Sequence, residues 1–173
     1  GKPARGWIVS RPEIVVIGGG VLGLSAACYL ARDGARVSLL ERGGIPFRTV
    51  FEKQLDAEAI AGIAAMDEDV VLFTDFGSGQ LDVISEHEAA GDFTPVIADH
   101  HQPADAETEF HLNPLLEGLN GASELSGAGA AYVLARALEA DGDNRDLAGL
   151  AVVGAVGDMQ AVGGELVGAN AGI

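Results

Sequence analysis

The chain has a single cysteine, Cys28, so no disulfide can close within it, and a reducing cytoplasm is its expected compartment. Cations are scarce. Lys+Arg number 10 against 26 Asp+Glu, the lysines being Lys2 and Lys53, and the formal net charge is −16. Such a balance argues against a basic nucleic-acid groove and repels anionic membrane surfaces. The uncharged stretch 14–31 follows Lys2, Arg5 and Arg11 as in a signal peptide, and Leu24-Ser25-Ala26-Ala27-Cys28 faintly resembles a lipidation box. Gly18-Gly19-Gly20 interrupts that helix and Ser25 fits the box poorly, so neither reading is adopted. Abundant Asp, Ala, Gly and Val with few lysines fit adaptation to a salty, halophilic cytoplasm, where dissolved ions screen the repulsion. Composition therefore leaves a nucleic-acid substrate open.

At 173 residues the chain is long enough for one domain that buries about 70% of its unfolded surface. Gly, at 25 residues, is about twice its usual share. Residues 1–12 lack periodicity and form a lead-in. Glu13-Ile14-Val15-Val16-Ile17 is expected as a buried strand, Gly18-Gly19-Gly20-Val21-Leu22-Gly23 as a turn, 24–32 as a helix and 36–41 as a second strand. This is a βαβ unit with a dinucleotide fingerprint. Gly18 permits the tight turn, Gly20 lets a pyrophosphate reach the backbone, Gly23 lets helix pack on strand, and Glu41 could accept from a ribose hydroxyl. FAD or NAD is the cofactor such a unit would take; its other reading is a βα scaffold that holds no nucleotide.

Beyond Gly44 the spacing predicts strands at 45–51, 70–74 and 94–98 and helices at 56–66, 81–90, 126–140 and 147–156, with Ser126 as an N-cap. His111-Leu112-Asn113-Pro114 falls in a loop. Two strands end in acids: one in Asp75, the next in Asp99-His100-His101. In an open parallel sheet that edge is where ligands bind, and imidazole beside carboxylate suits Mn, Fe or Zn. Asp158 closes a very apolar helix, a costly place for a charge without a partner. The expected fold is a Rossmann-like α/β domain, doubly wound, with a mostly parallel sheet and helices on both faces.

Two resemblances follow from these residues. Residues 13–43 resemble the FAD-binding unit of D-amino-acid-oxidase-like flavoproteins, which implies FAD at Gly18, Gly20, Gly23 and Glu41; nothing later resembles those enzymes. Thr74-Asp75-Phe76-Gly77-Ser78-Gly79, Ala98-Asp99-His100-His101-Gln102-Pro103, Ser126-Gly127-Ala128-Gly129 and Gly154-Ala155-Val156-Gly157-Asp158-Met159-Gln160 look like the ordered motifs of the DHH phosphoesterases, in their archaeal-type RecJ-like single-strand exonuclease branch. That resemblance covers residues 44–173. It implies that Asp75 bridges two Mn²⁺ or Mg²⁺ ions, that His100 and Asp158 bind one of them, that His101 contacts the scissile phosphate, that Asp99 orients the histidines, and that Ser126 and Gly127 lie at the substrate. The sequence departs from the family in two places. Gly18 to Gly23 stands where the family has an Asp-x-Asp motif with further ligands, and the family's second, substrate-gripping domain is absent before the end at Ile173. Glu41-Arg42-Gly43-Gly44-Ile45-Pro46-Phe47 has the look of a seam. The expected function is metal-dependent hydrolysis of phosphodiesters in single-stranded nucleic acid or nucleotides, diminished by the lost motif. The alternatives are a fragment of a FAD- or NAD-binding oxidoreductase and an inactive chimeric or truncated chain. The first requires Asp75, His100 and Asp158 to converge within about 8 Å.

Overall fold

Asp56 starts the first described helix for a local reason. Its carboxylate accepts from Ala59 N at 2.9 Å, satisfying an amide that the helix itself leaves open. The helix, α1, spans Ala57–Ala64. The computed structural model describes residues 13–17, 36–40, 50, 54–138 and 144–173. Within them, strands β1 (Glu13–Ile17) and β2 (Arg36–Leu40) pair in parallel, Glu13 opposite Arg36 and Ile17 opposite Leu40. Parallel neighbours need a crossover between them. The expected turn with Gly18, Gly20 and Gly23, the helix at 24–32, Glu41 and all but Val50 of the strand at 45–51 lie outside the described residues.

The main sheet is parallel and ordered β3-β4-β5: β3 is Val70–Thr74, β4 Thr94–Ala98 and β5 Phe110–Leu112. β3 and β4 run in register from Val70 opposite Thr94 to Thr74 opposite Ala98, so their carboxyl ends are level. Helix α2 (Leu81–Ala90) connects them and stops at Gly91, whose φ of 80° is left-handed. Side chains alternate across the sheet. Phe73 and Ile97 face α1 and α2, clustering with Leu55, Ile60, Ile63, Leu81, Ile84 and Phe93. Leu72 and Ala98 face the other way, onto α3 (Gly127–Ala137), through Ala131 and Ala135 for Leu72 and through Ala130 for Ala98. Ile60, Leu81, Ile84 and Ile97 are wholly buried, each contributing about 1.5–3 kcal/mol. The fold is thus α/β, a parallel three-stranded sheet with helices on both faces.

Helix α4 (Ala148–Gly157) packs along α3 so closely that a Cβ at Gly154 would meet that of Ala128. Its outer side, including Val153 and Val156, is exposed. Two elements depart from expectation. Phe110–Leu112 is a strand rather than loop, recruited by pairing with Val96 to Ala98. After α4, β6 (Ala161–Val162) and β7 (Glu165–Leu166) form an antiparallel hairpin. Its turn is Gly163-Gly164 with φ of 64° and 90°, the pair of positive angles that two-residue hairpins need. Among the described residues no helix is long and apolar enough to cross a membrane.

Candidate metal centre at the carboxyl edge of the sheet

The level ends of β3 and β4 place their first following residues side by side. Asp75 N donates to Ala98 O at 3.0 Å and Asp99 N to Leu112 O at 3.1 Å, so both acids are held by the last rungs of the ladder. Asp75 has a φ of 62°; the left-handed region is uncommon outside glycine, though tolerated by Asp, and strain of this sort gathers at functional sites. Asp158 arrives from elsewhere. It is the C-cap of α4, the negative end of the helix dipole, where a carboxylate is disfavoured. It is held there by the Gly127 amide at the start of α3 and by the charge of His100.

His100 lies between the two acids. Its Nε2 is 3.2 Å from Asp75 Oδ1 and 3.9 Å from Asp158 Oδ2, and its Nδ1 donates to the Gly121 carbonyl at 2.7 Å. Asp75 and Asp158 are therefore brought together on the same imidazole nitrogen, within the expected limit. Asp99 works differently. It is buried, and its Oδ1 accepts from His100 N at 2.7 Å, His101 N at 3.3 Å and His101 Nδ1 at 2.7 Å, while Oδ2 accepts from Ser78 N at 3.0 Å. With Nδ1 so held, Nε2 is the ring nitrogen that Asp99 does not take up, on a side chain that is 58% exposed. Ligand atoms of Asp75, Asp99, His100 and His101 all lie within 4.8 Å of one another. Asp99 is crowded with protein donors, which leaves it the least free of the four to hold an ion.

Charge explains the protonation states. Burial works to lower the His100 pKa. The bond to Asp75, the Gly121 carbonyl and the charges of Asp75 and Asp158 overcome it and raise the value to about 9. Burial pushes Asp158 up, the Asp75 charge adds to this, and His100, the Gly127 amide and His101 only partly offset them. Burial would raise Asp99, but the bonds from His101 and from the Ser78 and His100 amides hold it below its ordinary value. Asp158 Oδ2 is buried with no hydrogen-bond partner, a situation that costs a charged group more than about 1–3 kcal/mol. An oxygen of that kind, facing a second carboxylate and an imidazole, fits a hard or borderline divalent cation. His100 is also set up as metal-bound histidines are, one nitrogen on a carbonyl and the other toward the acids.

Proton and ion compete for His100 Nε2. Without metal, His100 has a folded pKa above its ordinary 6.5, so its stabilising contribution is full below about 6.5 and is lost as pH rises through about 9. Ion uptake runs the other way: each pH unit below about 9 should weaken apparent Mn²⁺ affinity by about tenfold, one proton leaving per ion. Titration calorimetry in buffers of different ionisation enthalpy reads that proton directly; uptake with no proton released would place the ion away from His100.

The remaining expected residues are placed as follows. Gly127 touches the centre from below: a Cβ there would run into Asp75 Oδ1, so only glycine lets the start of α3 approach the acids. Ser126, expected at the substrate, is wholly buried and its Oγ accepts from Gly129 N at 3.0 Å as the cap of α3; in this geometry its side chain serves the helix. Gly18, Gly20, Gly23 and Glu41 lie outside the described residues. Several polar residues without an expected role support the centre. Asn113 donates to Ser78 Oγ at 2.8 Å and to His101 O at 2.9 Å, tying three loops together, and His111 Nε2 lies 2.8 Å from Ser78 Oγ. Burial lowers the His111 pKa against the opposing charge of Asp99. Asn113 follows β5, a strand that carries no signal in sequence, so its place beside Asp99 shows only in the structure.

Comparison with known proteins divides the chain. Residues 13–50 match the family model of FAD dependent oxidoreductases. A stretch of 34 residues, 20% of this chain and 7% of the relative, is 62% identical to carotenoid 3,4-desaturase of Haloarcula japonica. The crystal structure of exonuclease RecJ bound to manganese superposes with a TM-score of 0.50 at 24% identity, covering 84% of this chain. The chain spans 38% of that structure's length. At this identity the likeness is one of fold: an α/β architecture shared with an exonuclease, carried by a chain whose opening residues are similar to flavoproteins.

Proposed function

We propose that this chain carries a DHH-type phosphoesterase site, directed at phosphodiesters of single-stranded nucleic acid or nucleotides and reduced to one divalent ion. The observation that supports it is His100 Nε2, 3.2 Å from Asp75 and 3.9 Å from an Asp158 oxygen that is buried and has no hydrogen-bond partner. Asp75, His100 and Asp158 would hold Mn²⁺ or Mg²⁺. Such an ion, when bound, withdraws charge from a phosphoryl oxygen and acidifies water. His101, its Nδ1 fixed by Asp99 at 2.7 Å, presents Nε2 to the non-bridging oxygens of a phosphate entering from solvent. The Asp99 carboxylate keeps that ring oriented. The RecJ-like fold favours a nucleic-acid substrate. With a formal net charge of −16, its binding would need salt to screen the approach.

A second reading has its own support in the FAD dependent oxidoreductase match at residues 13–50 and the parallel β1–β2 pair. In that reading Gly18, Gly20, Gly23 and Glu41 take FAD or NAD. One sample tests both. Protein purified in high salt should bind Mn²⁺ at close to one ion per chain and be colourless. A yellow sample with about one equivalent of flavin absorbance would promote the redox reading, and failure to bind Mn²⁺ would end the phosphoesterase one.

A further inference from the structure

Behind His100 lies a run of buried polar side chains that no step above uses. Gln160 and Asn170 are each 1% exposed, among the most buried polar residues described. Backbone groups fix the orientation of both amides, which side-chain atoms alone would leave ambiguous. At one end, Ser126 N donates to Asn170 Oδ1 at 3.2 Å, so Asn170 must turn its Nδ2 toward Gln160 Oε1, at 2.7 Å. Gln160 then directs Nε2 to the Gly121 carbonyl at 2.9 Å. That carbonyl is the acceptor for His100 Nδ1 at 2.7 Å. The 3.4 Å approach of Gln160 Nε2 to His100 Nδ1 is between two donors sharing one acceptor and is not itself a bond. A further bond, Asn170 N to Glu124 O at 2.8 Å, anchors the C-terminal turn Gly168–Gly172 to the loop before α3.

We propose that Gln160 and Asn170 are positioning residues: their paired amides pin the Gly121 carbonyl on His100 Nδ1 and so hold His100 Nε2 toward Asp75 and Asp158. The direction of the relay is set by a backbone N–H at one end and a backbone C=O at the other, and it requires a proton on His100 Nδ1. Because Ser126 is also the cap of α3, whose first amide holds Asp158, Asn170 reaches both sides of the centre. Asn170, on the C-terminal turn, is thereby part of the site's support. The consequence for ion binding rests on the phosphoesterase reading; the setting of His100 does not.

The experiment reads His100 directly, by ¹⁵N-edited NMR of the imidazole in metal-free full-length protein, alongside Mn²⁺ titration. Gln160→Met keeps the volume and removes the donor. It should weaken the Nδ1–H bond, move the Nδ1 proton upfield and lower Mn²⁺ affinity about 10–100-fold, the usual effect of losing such outer support. Gln160→Glu keeps the shape and puts an acceptor beside Nδ1, so it should shift the Nδ1 proton downfield, opposite to the Met variant. A filler with no positioning role would not produce opposed shifts. Unchanged His100 signals in a folded Gln160→Met protein, or shifts of the same sign in both variants, overturn the relay. If one variant does not fold, the other, compared with the native chain, decides by the direction of its own shift. Native protein that shows the His100 response but binds no Mn²⁺ keeps the relay and removes the phosphoesterase reading.

Discussion

His100→Ala is expected to weaken Mn²⁺ binding by at least about 100-fold, since loss of outer partners alone removes about 10–100-fold and His100 would touch the ion. The same substitution should alter the metal-free protein. His100, raised to about 9, is the cation between Asp75 and Asp158 at neutral pH. Its removal leaves two carboxylates facing each other, one with a buried, unpartnered oxygen. Breaking a fully buried pair costs about 3–5 kcal/mol and a surface pair under about 1. His100 is 12% exposed and the acids about a quarter, so about 1–3 kcal/mol is expected, read by urea unfolding in EDTA at pH 7. The control is His101→Ala. That ring is 58% exposed and its Nδ1 is taken up by Asp99, so Mn²⁺ affinity should stay within about threefold of native while any phosphodiester hydrolysis is lost. Equal losses of Mn²⁺ affinity in the two variants would mean that the ion sits across both histidines, and the division of roles between them would fail.

Where local chemistry and packing agree, the fold was legible. β3 and β4 are apolar runs bounded by acids and glycines, and α2 ends at a glycine that takes the left-handed angle a helix end requires. The convergence of Asp75 with His100 was legible too, because two successive parallel strands must end at one edge. Phe110–Leu112 was not. Three residues with a histidine in the middle carry no period, and only the open edge of β4 makes them a strand. The amide pair was hidden for a different reason. Gln160 and Asn170 resemble surface residues in sequence, and their burial depends on the Gly163-Gly164 turn folding the chain back toward Ser126. Asp158 stands between these cases: a charge closing so apolar a helix announces a partner, but not which one.

The largest gain of function is expected from the opening of the chain. A divalent ion takes about six ligands, and Asp75, His100 and Asp158 supply three side chains at one centre. One ion can complete its shell with water; a second, bridged by Asp75, would find nearby only Asp99, whose oxygens already accept from protein donors. The native chain should therefore show little or no Mn²⁺-dependent hydrolysis of a single-stranded oligonucleotide. The carboxyl end of β1 is Ile17, and Gly18 and Gly20 follow it as the acids of the Asp-x-Asp motif follow the first strand of the resembling family. Gly18→Asp with Gly20→Asp restores two carboxylates at that spacing. If β1 occupies the place of that strand, the double variant should bind a second Mn²⁺ ion and hydrolyse the oligonucleotide at least about 100-fold faster, two ions clamping both sides of the phosphate about 3.5–4 Å apart. His100→Ala placed in the double variant should abolish the gain. No change in stoichiometry or rate would show that residues 13–23 serve a dinucleotide fold and not the acidic edge. Robust hydrolysis by the native chain, lost in His100→Ala, would show that other groups already complete the site.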